Sequence, residues 1–189
     1  MTAGVAKALL VDDRRENLMA LEAIMQGLPV QTVAVESGEE ALKQLLVDDF
    51  AVILLDAQMP DMDGFETANH IKRRERTRHV PILFLTAADR DNQLALRGYA
   101  AGAVDYLIKP FDPWVLRAKV GVFVDLWAKN QQLRSQADLV RQRNEQWRAL
   151  SAAVDRAIER LRVDGVDPAK IADDLESARW SGTDSAGTD

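Results

Sequence analysis

The chain has 189 residues, of which 47% are hydrophobic and 29% charged, and this length, beyond the roughly 100 to 150 residues of one typical domain, predicts a domain with an appendage. Its formal net charge is −6, and residues 1–112 carry 12 basic and 18 acidic side chains, which argues against a broad nucleic-acid surface. The chain lacks cysteine, a signal-peptide layout and any apolar run near the roughly 20 residues of a membrane span, so we expect no thiolate metal site, no membrane association and a soluble, cytoplasmic protein.

Apolar strands and amphipathic helices alternate along the first 125 residues. Strands are predicted at residues 5–11, 30–35, 51–55, 81–85 and 104–108, and helices at 16–26, from Ser37, at 65–76 and at 90–101. Ser37 stands three residues before Glu40, which is the arrangement of a capping box. Five alternations imply right-handed crossovers and helices on both faces of the sheet. The predicted fold class is therefore α/β, a doubly wound five-stranded parallel sheet.

Reactive side chains stand at the carboxyl ends of four predicted strands. They are Asp12 and Asp13 after the first, Asp56 at the end of the apolar third, Thr86 after the fourth and Lys109 after the fifth. Ligands of open parallel sheets bind outside these ends. One polar residue at a strand end is ordinary loop chemistry. Reactive side chains at four strand ends, of types that suit one reaction, instead predict a shared site.

The residue types at these ends fit phosphoryl transfer. Three converging carboxylates repel one another unless a cation lies among them, and Mg²⁺ suits a site of carboxylate and phosphate oxygens. An aspartate can accept the phosphoryl group as an acyl phosphate. Lys109 supplies a point charge, and the Thr86 hydroxyl and the Ala87 backbone N–H supply hydrogen-bond donors. We therefore predict that Asp56 accepts phosphate with Mg²⁺ as the cofactor.

The same strand ends resemble a known family, the receiver domains of two-component response regulators. The resemblance covers about residues 6–125. It rests on Val11-Asp12-Asp13, on Asp56 with Met59-Pro60-Asp61-Met62-Asp63-Gly64, on Leu85-Thr86-Ala87, on Gly102-Ala103-Val104-Asp105-Tyr106-Leu107 and on Lys109-Pro110-Phe111.

The resemblance implies a flavodoxin-like sheet of order 2-1-3-4-5 and a cis peptide bond between Lys109 and Pro110. It implies that Asp56 accepts phosphate from a sensor histidine kinase. Asp12, Asp13, Asp56 and the backbone carbonyl of Gln58 would bind Mg²⁺, and Lys109 would contact the phosphoryl group.

The resemblance also makes Thr86 and Tyr106 a switch pair. The Thr86 hydroxyl would move toward the phosphate while the Tyr106 ring turns inward. The alternative for Tyr106 is a plain core aromatic whose hydroxyl lies at the surface.

A second region follows the predicted receiver domain of residues 1–125. The helix that starts at Trp114, with Asp112 as its N-cap and Pro113 in its first turn, has no stop signal, and residues 126–163 are predicted to extend it. No Gly or Pro occurs from 123 to 161, a span of about 60 Å at 1.5 Å per residue. The a and d positions of a heptad frame, the predicted coiled-coil seam, hold Phe123, Leu126, Asn130, Leu133, Ala137, Val140, Asn144, Trp147, Ser151, Val154, Ile158 and Leu161.

What covers this seam is left open by the sequence. Asn130 and Asn144 at a positions favour a parallel homodimer. In such a dimer, however, Lys129 would face Arg134 and Arg143 would face another arginine, Arg148. The coil is therefore predicted to be weak, switchable or better matched to an acidic helical partner. The remaining alternative is a helix that folds back on its own receiver domain.

A turn ends the long helix, and residues 164–180 are predicted as a short helix after it. Residues 181–189 are predicted to be a disordered tail. Residues 126–189 contain no helix-turn-helix pair with a basic recognition helix and no histidine. We therefore expect no DNA-binding output and no phosphorylated kinase helix.

These features favour a response regulator that is not itself an enzyme and signals through protein contact or dimerisation. A phosphatase of the haloacid dehalogenase type is an alternative, because it also uses a strand-end Asp, a Thr and a Lys with Mg²⁺. That chemistry calls for a second Asp two residues after the nucleophile, where this chain has Gln58. A third alternative is a phosphorylation-independent scaffold.

Overall fold

The structure is a computed structural model, and it describes residues 5–86, 105–164, 169, 172–174 and 176. The predicted helix at 90–101, Ala87, the tail at 181–189 and much of the short helix at 164–180 lie outside the described residues. By its internal contacts the chain divides into residues 1–131 and residues 132–189.

Five parallel strands form one sheet in the order β2-β1-β3-β4-β5. Their bounds are Ala6–Val11 for β1, Val30–Val35 for β2, Val52–Asp56 for β3, Ile82–Thr86 for β4 and Asp105–Ile108 for β5. The described helices are α1 (Arg15–Met25), α2 (Gly38–Val47), α3 (Gly64–Arg73) and α4 (Pro113–Asp164). The predicted fold class and strand order are confirmed.

The core lies on both faces of this sheet, and all five residues of β3 are buried. On one face Ile53 packs in a cluster with Leu45 of α2 and Ile71 of α3. On the other face Leu54 packs in a cluster with residues of α1 and α4. A strand that is buried on both faces needs the continuous apolar run seen in the sequence.

Helix α3 is shorter than predicted, since it ends at Arg73 and not at Arg76. The buried Thr77 hydroxyl donates a hydrogen bond to the Ile71 carbonyl, and Lys72 Nζ donates to the carbonyls of Arg78 and Val80 at 3.0 and 2.7 Å. These bonds connect the last turn of α3 with the segment that leads into β4. Burial lowers the pKa of Lys72.

Side chains cap two helices at the predicted residues. Ser37 Oγ accepts a hydrogen bond from Glu40 N at 3.2 Å, as in a capping box. The Glu40 carboxylate, however, accepts from Glu36 N at 3.1 Å and not from the N–H of Ser37 itself. Asp112 Oδ1 accepts from Trp114 N at 2.8 Å and so opens α4 at Pro113.

Burial along α4 changes at the division between the two parts of the chain. Leu116, Val120 and Val124 are buried against the sheet, and Phe123, the first predicted seam residue, packs against the same cluster. From 132 to 160 only Ala153 and Ala157 are buried. In the described part of the chain, none of the helices combines the length and the hydropathy that a membrane span requires.

Candidate functional site

The sheet brings the predicted strand-end residues to one edge. Val11 lies opposite Leu55 in the β1–β3 pair. Asp12 and Asp56, each the next residue along the chain, therefore come at neighbouring positions. Asp56 lies opposite Leu85 of β4, and the carbonyl of the next residue, Thr86, accepts a hydrogen bond from Lys109 N at 2.7 Å. Four separate segments of the chain thus meet at this edge.

Three carboxylates form a cluster that can hold a metal ion. Asp12, Asp13 and Asp56 each offer an oxygen, and these oxygens lie within 4.8 Å of one another. Asp12 and Asp56 are buried, whereas Asp13 is exposed. An oxygen-only cluster with one exposed member fits Mg²⁺, which binds few carboxylates and keeps several waters.

Asp12 is fixed by three donors. Its Oδ1 accepts hydrogen bonds from Arg14 N at 3.0 Å and from Asn17 Nδ2 at 2.8 Å, and its Oδ2 accepts from Lys109 Nζ at 2.8 Å. The strand-end pattern in the sequence does not predict a role for Asn17. Its signal is a polar residue near the start of α1, one helical turn beyond the Asp pair.

Lys109 joins the two buried carboxylates. Its Nζ lies 2.8 Å from Asp12 Oδ2 and 3.2 Å from Asp56 Oδ1. The ammonium side chain is 24% exposed, so it can also reach a group that enters from solvent. The Lys109–Pro110 peptide bond is cis, as the resemblance implied.

The pKa of Asp56 is raised above its ordinary value. Burial is the largest cause, and the Asp12 carboxylate raises the pKa further, while Lys109 and a backbone hydrogen bond from Gln58 lower it. A divalent cation at the cluster would favour the ionised form. The metal-binding role of the Gln58 carbonyl stays a prediction.

Gly64 allows α3 to approach the site closely. A Cβ on Gly64 would lie 2.1 Å from the Asp56 carbonyl oxygen and 2.9 Å from Ala57 Cα. Asp63, just before it, caps the helix by accepting a hydrogen bond from Glu66 N at 2.7 Å. The sequence motif contained both residues, but neither was assigned a role.

Thr86 is buried at the end of β4, and Tyr106 is 37% exposed on β5. The backbone N–H of Tyr106 donates to Asp105 Oδ1 at 2.8 Å. The Tyr106 side chain is therefore only partly buried. The Thr86–Tyr106 switch stays a prediction, and Ala87 lies outside the described residues.

Comparison with curated proteins gives relatives with regulatory or enzymatic descriptions. A probable cyclic di-GMP phosphodiesterase from Vibrio cholerae is 38% identical over 116 residues, which cover 59% of this chain and 25% of that protein. The response regulator PleD from Caulobacter vibrioides is 36% identical over 115 residues, covering 61% of this chain and 25% of PleD. The chain thus spans about a quarter of the length of these two relatives.

Solved structures and a family model match the same part of the chain. The Vibrio cholerae chemotaxis protein CheY4 has a TM-score of 0.58 and 31% identity, and the match covers 62% of this chain and 97% of CheY4. A putative response regulator from Chloroflexus aurantiacus has a TM-score of 0.60 and 32% identity, covering 65% of this chain and 99% of that one. The model of the response regulator receiver domain matches residues 8–121. Through these residues the chain belongs to the response regulator receiver domain family.

Proposed function

We propose that Asp56 accepts a phosphoryl group from a sensor histidine kinase, with Mg²⁺ held by Asp12, Asp13 and Asp56. Receiver domains as a family accept phosphate from such kinases and bind Mg²⁺ at an acidic cluster. The observation that carries the proposal for this chain is the cluster itself. Three carboxylate oxygens lie within 4.8 Å of one another, and Lys109 Nζ contacts two of the carboxylates.

The proposed reaction forms a bond between an Asp56 carboxylate oxygen and phosphorus, while the bond from phosphorus to the donor breaks. Bound Mg²⁺ would offset the negative charge of the phosphate and of the carboxylates. Lys109, 3.2 Å from Asp56 Oδ1, is placed to neutralise a phosphoryl oxygen. Asn17 Nδ2 and Arg14 N both donate to Asp12 Oδ1 and would hold this carboxylate in position for a metal ion.

Three further roles complete the proposal. The Gln58 carbonyl would be a metal ligand, and the Thr86 hydroxyl and the Ala87 N–H would donate to the phosphoryl group. Thr86 and Tyr106 would then act as the switch pair.

Helix α4 is the proposed output. Apolar side chains along residues 133–158 are exposed in the single chain, including Leu133 and Trp147. Exposed apolar residues on one long helix favour a protein contact, either with a second copy or with a helix of another protein. We propose no DNA-binding or enzymatic output for the chain of 189 residues.

The haloacid dehalogenase alternative is not favoured by the site. Its second acidic residue would stand at Gln58, whose backbone hydrogen-bonds to the Asp56 carboxylate. An amide side chain there cannot serve as a general acid at neutral pH. The family match favours the receiver role.

Intact mass measurement after incubation with Mg²⁺ and a small phosphodonor tests the proposal. We expect one added phosphoryl group on the native chain and none on Asp56→Asn. Asp61→Asn is the matched control, since Asp61 is exposed with φ of 64°, a conformation that Asn also tolerates. Equal labelling of native chain and Asp56→Asn would contradict the assignment.

A further inference from the structure

We propose that α4 docks an acidic amphipathic helix of another protein on a basic-flanked stripe within residues 133–148. We define this stripe as three apolar residues and the four arginines beside them: Leu133, Val140, Trp147, Arg134, Arg141, Arg143 and Arg148. The proposal rests on the proposed function, in which the chain signals by protein contact, and it names the chemistry of the partner.

The apolar part of the stripe is uncovered. Leu133 is 62% exposed, Val140 46% and Trp147 64%, whereas Val154 is 39% and Ile158 43% exposed farther along. The farther region also holds the buried Ala153 and Ala157, and Arg160 there forms an ion pair with Asp174. The open part of the predicted seam is therefore the part that ends near Trp147.

The charged residues at the e and g positions beside this open part are all arginines. In the heptad frame Arg134, Arg141 and Arg148 occupy e positions, and Arg143 occupies a g position, directly beside the a and d residues. Among the residues that the structure describes, none of these arginines forms an ion pair.

The acidic residues of the same stretch lie farther from the seam. Asp138 and Glu145 occupy b positions, on the outer side of the e arginines. Arg141 and Arg148 border one shallow groove with Val140, and Glu145 also lines it. A partner helix seated on Leu133 and Val140 would therefore meet guanidinium groups at its edges.

A second copy of this chain fits the stripe poorly. In a parallel pair Arg143 would face Arg148 of the twin, and in an antiparallel pair the e positions face one another, so that arginine meets arginine. Like charges at such positions are destabilising, while carboxylates would be stabilising. An acidic helix satisfies both the apolar stripe and its four cations.

Nucleic acid and lipid fit less well. Phosphates would meet the arginines but leave Leu133, Val140 and Trp147 uncovered. An interfacial helix needs a broad apolar face, whereas Asn144 interrupts this narrow stripe. These occupants become outcomes of the test.

The test uses the full chain and two synthetic three-heptad peptides with Leu at a and d. One peptide carries Glu at e and g, and its matched control carries Lys there. By fluorescence anisotropy we expect the Glu peptide to bind at least about tenfold more tightly than the Lys peptide, and to weaken with added salt. Equal binding of the two peptides, or binding of neither, would overturn the proposal.

A charge-reversed variant sharpens the test. Arg134→Glu, Arg141→Glu and Arg148→Glu combined should invert the preference, so that the Lys peptide binds more tightly. Arg156→Glu, at an f position on the opposite side of the helix, is the matched control and should keep the native preference. Circular dichroism checks that both variants retain their helix. A preference unchanged by the triple reversal would overturn the proposal.

Competing occupants are measured on the same protein. Light scattering that shows a stable dimer at the titration concentration would reassign the stripe to a second copy. Tighter binding of duplex DNA or of phosphatidylglycerol vesicles than of the Glu peptide would reassign it to a polyanion. Either result overturns the acidic-helix proposal.

Labelling of Asp56 in the same preparation separates this proposal from the proposed function. Normal labelling with no preference for the Glu peptide contradicts only the partner chemistry. Absent labelling with a clear preference for the Glu peptide contradicts only the phosphoacceptor assignment.

Discussion

Helix α4 contains two stretches with similar apolar patterns and opposite environments. Before residue 132, Leu116 and Val120 are fully buried against the sheet. After it, Leu133 and Trp147 are mostly exposed. Helical periodicity is a local property and predicts both stretches equally well. Burial depends on what the tertiary fold places beside the helix, so the same pattern supports a core in one stretch and leaves apolar side chains exposed in the other.

The largest expected effect is a difference in the free energy of unfolding between two Leu→Ala variants, one in each environment. Leu54→Ala in β3, fully buried, should lower the free energy of unfolding by about 2–5 kcal/mol, because it removes buried area and leaves a cavity. Leu133→Ala should change it by less than about 0.5 kcal/mol. Urea unfolding followed by circular dichroism measures both. A large loss for Leu133→Ala would show that the stripe is already covered in the isolated chain.

A second comparison uses two glycines. Gly64→Ala should cost about 1–3 kcal/mol and reduce phosphoryl labelling, since the added Cβ would meet the backbone of Asp56 at 2.1 Å. Gly121→Ala in α4 is the control, because nothing lies within 4 Å of its added Cβ. It should stabilise the helix by about 0.5–1 kcal/mol. Unimpaired labelling of Gly64→Ala would contradict the close packing of α3 on the site.

The acidic cluster at the site provides a test by pH. Burial raises the pKa of Asp56 in the folded chain, so its ionised form costs stability at neutral pH. This cost is lost as pH falls through the folded pKa toward the unfolded value of about 3.9.

Asp56→Asn should therefore raise the free energy of unfolding at neutral pH in chelator, and the gain should shrink on acidification. Added Mg²⁺ should also reduce the gain, because it favours the ionised carboxylate. Urea unfolding at several pH values measures this difference. An Asp56→Asn chain that is less stable at neutral pH without metal would contradict the predicted direction.

The smallest effect concerns two serines. Ser37→Ala removes the cap that accepts from Glu40 N and should cost about 1 kcal/mol. Ser151 is exposed and lies within α4, away from its ends. Ser151→Ala should be neutral or slightly stabilising, because Ala has the higher helix propensity. Thermal unfolding of the two variants side by side checks whether Ser37→Ala is the less stable. If Ser151→Ala were the less stable, the Ser37 cap would not stabilise α2.

The sequence predicted the parts of the site that depend on local pattern. Strand ends at Asp12, Asp56 and Lys109 follow from apolar runs that stop at a polar residue. The strand order came from the family resemblance, because periodicity does not specify which strands are neighbours.

Other features depend on contacts between distant segments. The hydrogen bond from Asn17 to Asp12 and the close approach of Gly64 to Asp56 require the packed sheet and helices to be known. Helix α3 ends at Arg73, and the hydrogen bonds of Thr77 and Lys72 to backbone carbonyls beyond that point could not be predicted from the helical pattern up to Arg76.

Peptide mapping of the phosphorylated chain tests the central claim most directly. The chain is incubated with Mg²⁺ and a small phosphodonor, treated with borohydride to trap an acyl phosphate, digested and sequenced by mass spectrometry. We predict modification at Asp56 alone, and none when Mg²⁺ is chelated. Modification of Asp12, Asp13 or a residue outside the cluster, with Asp56 unmodified, would contradict the assignment of Asp56 as the phosphoacceptor.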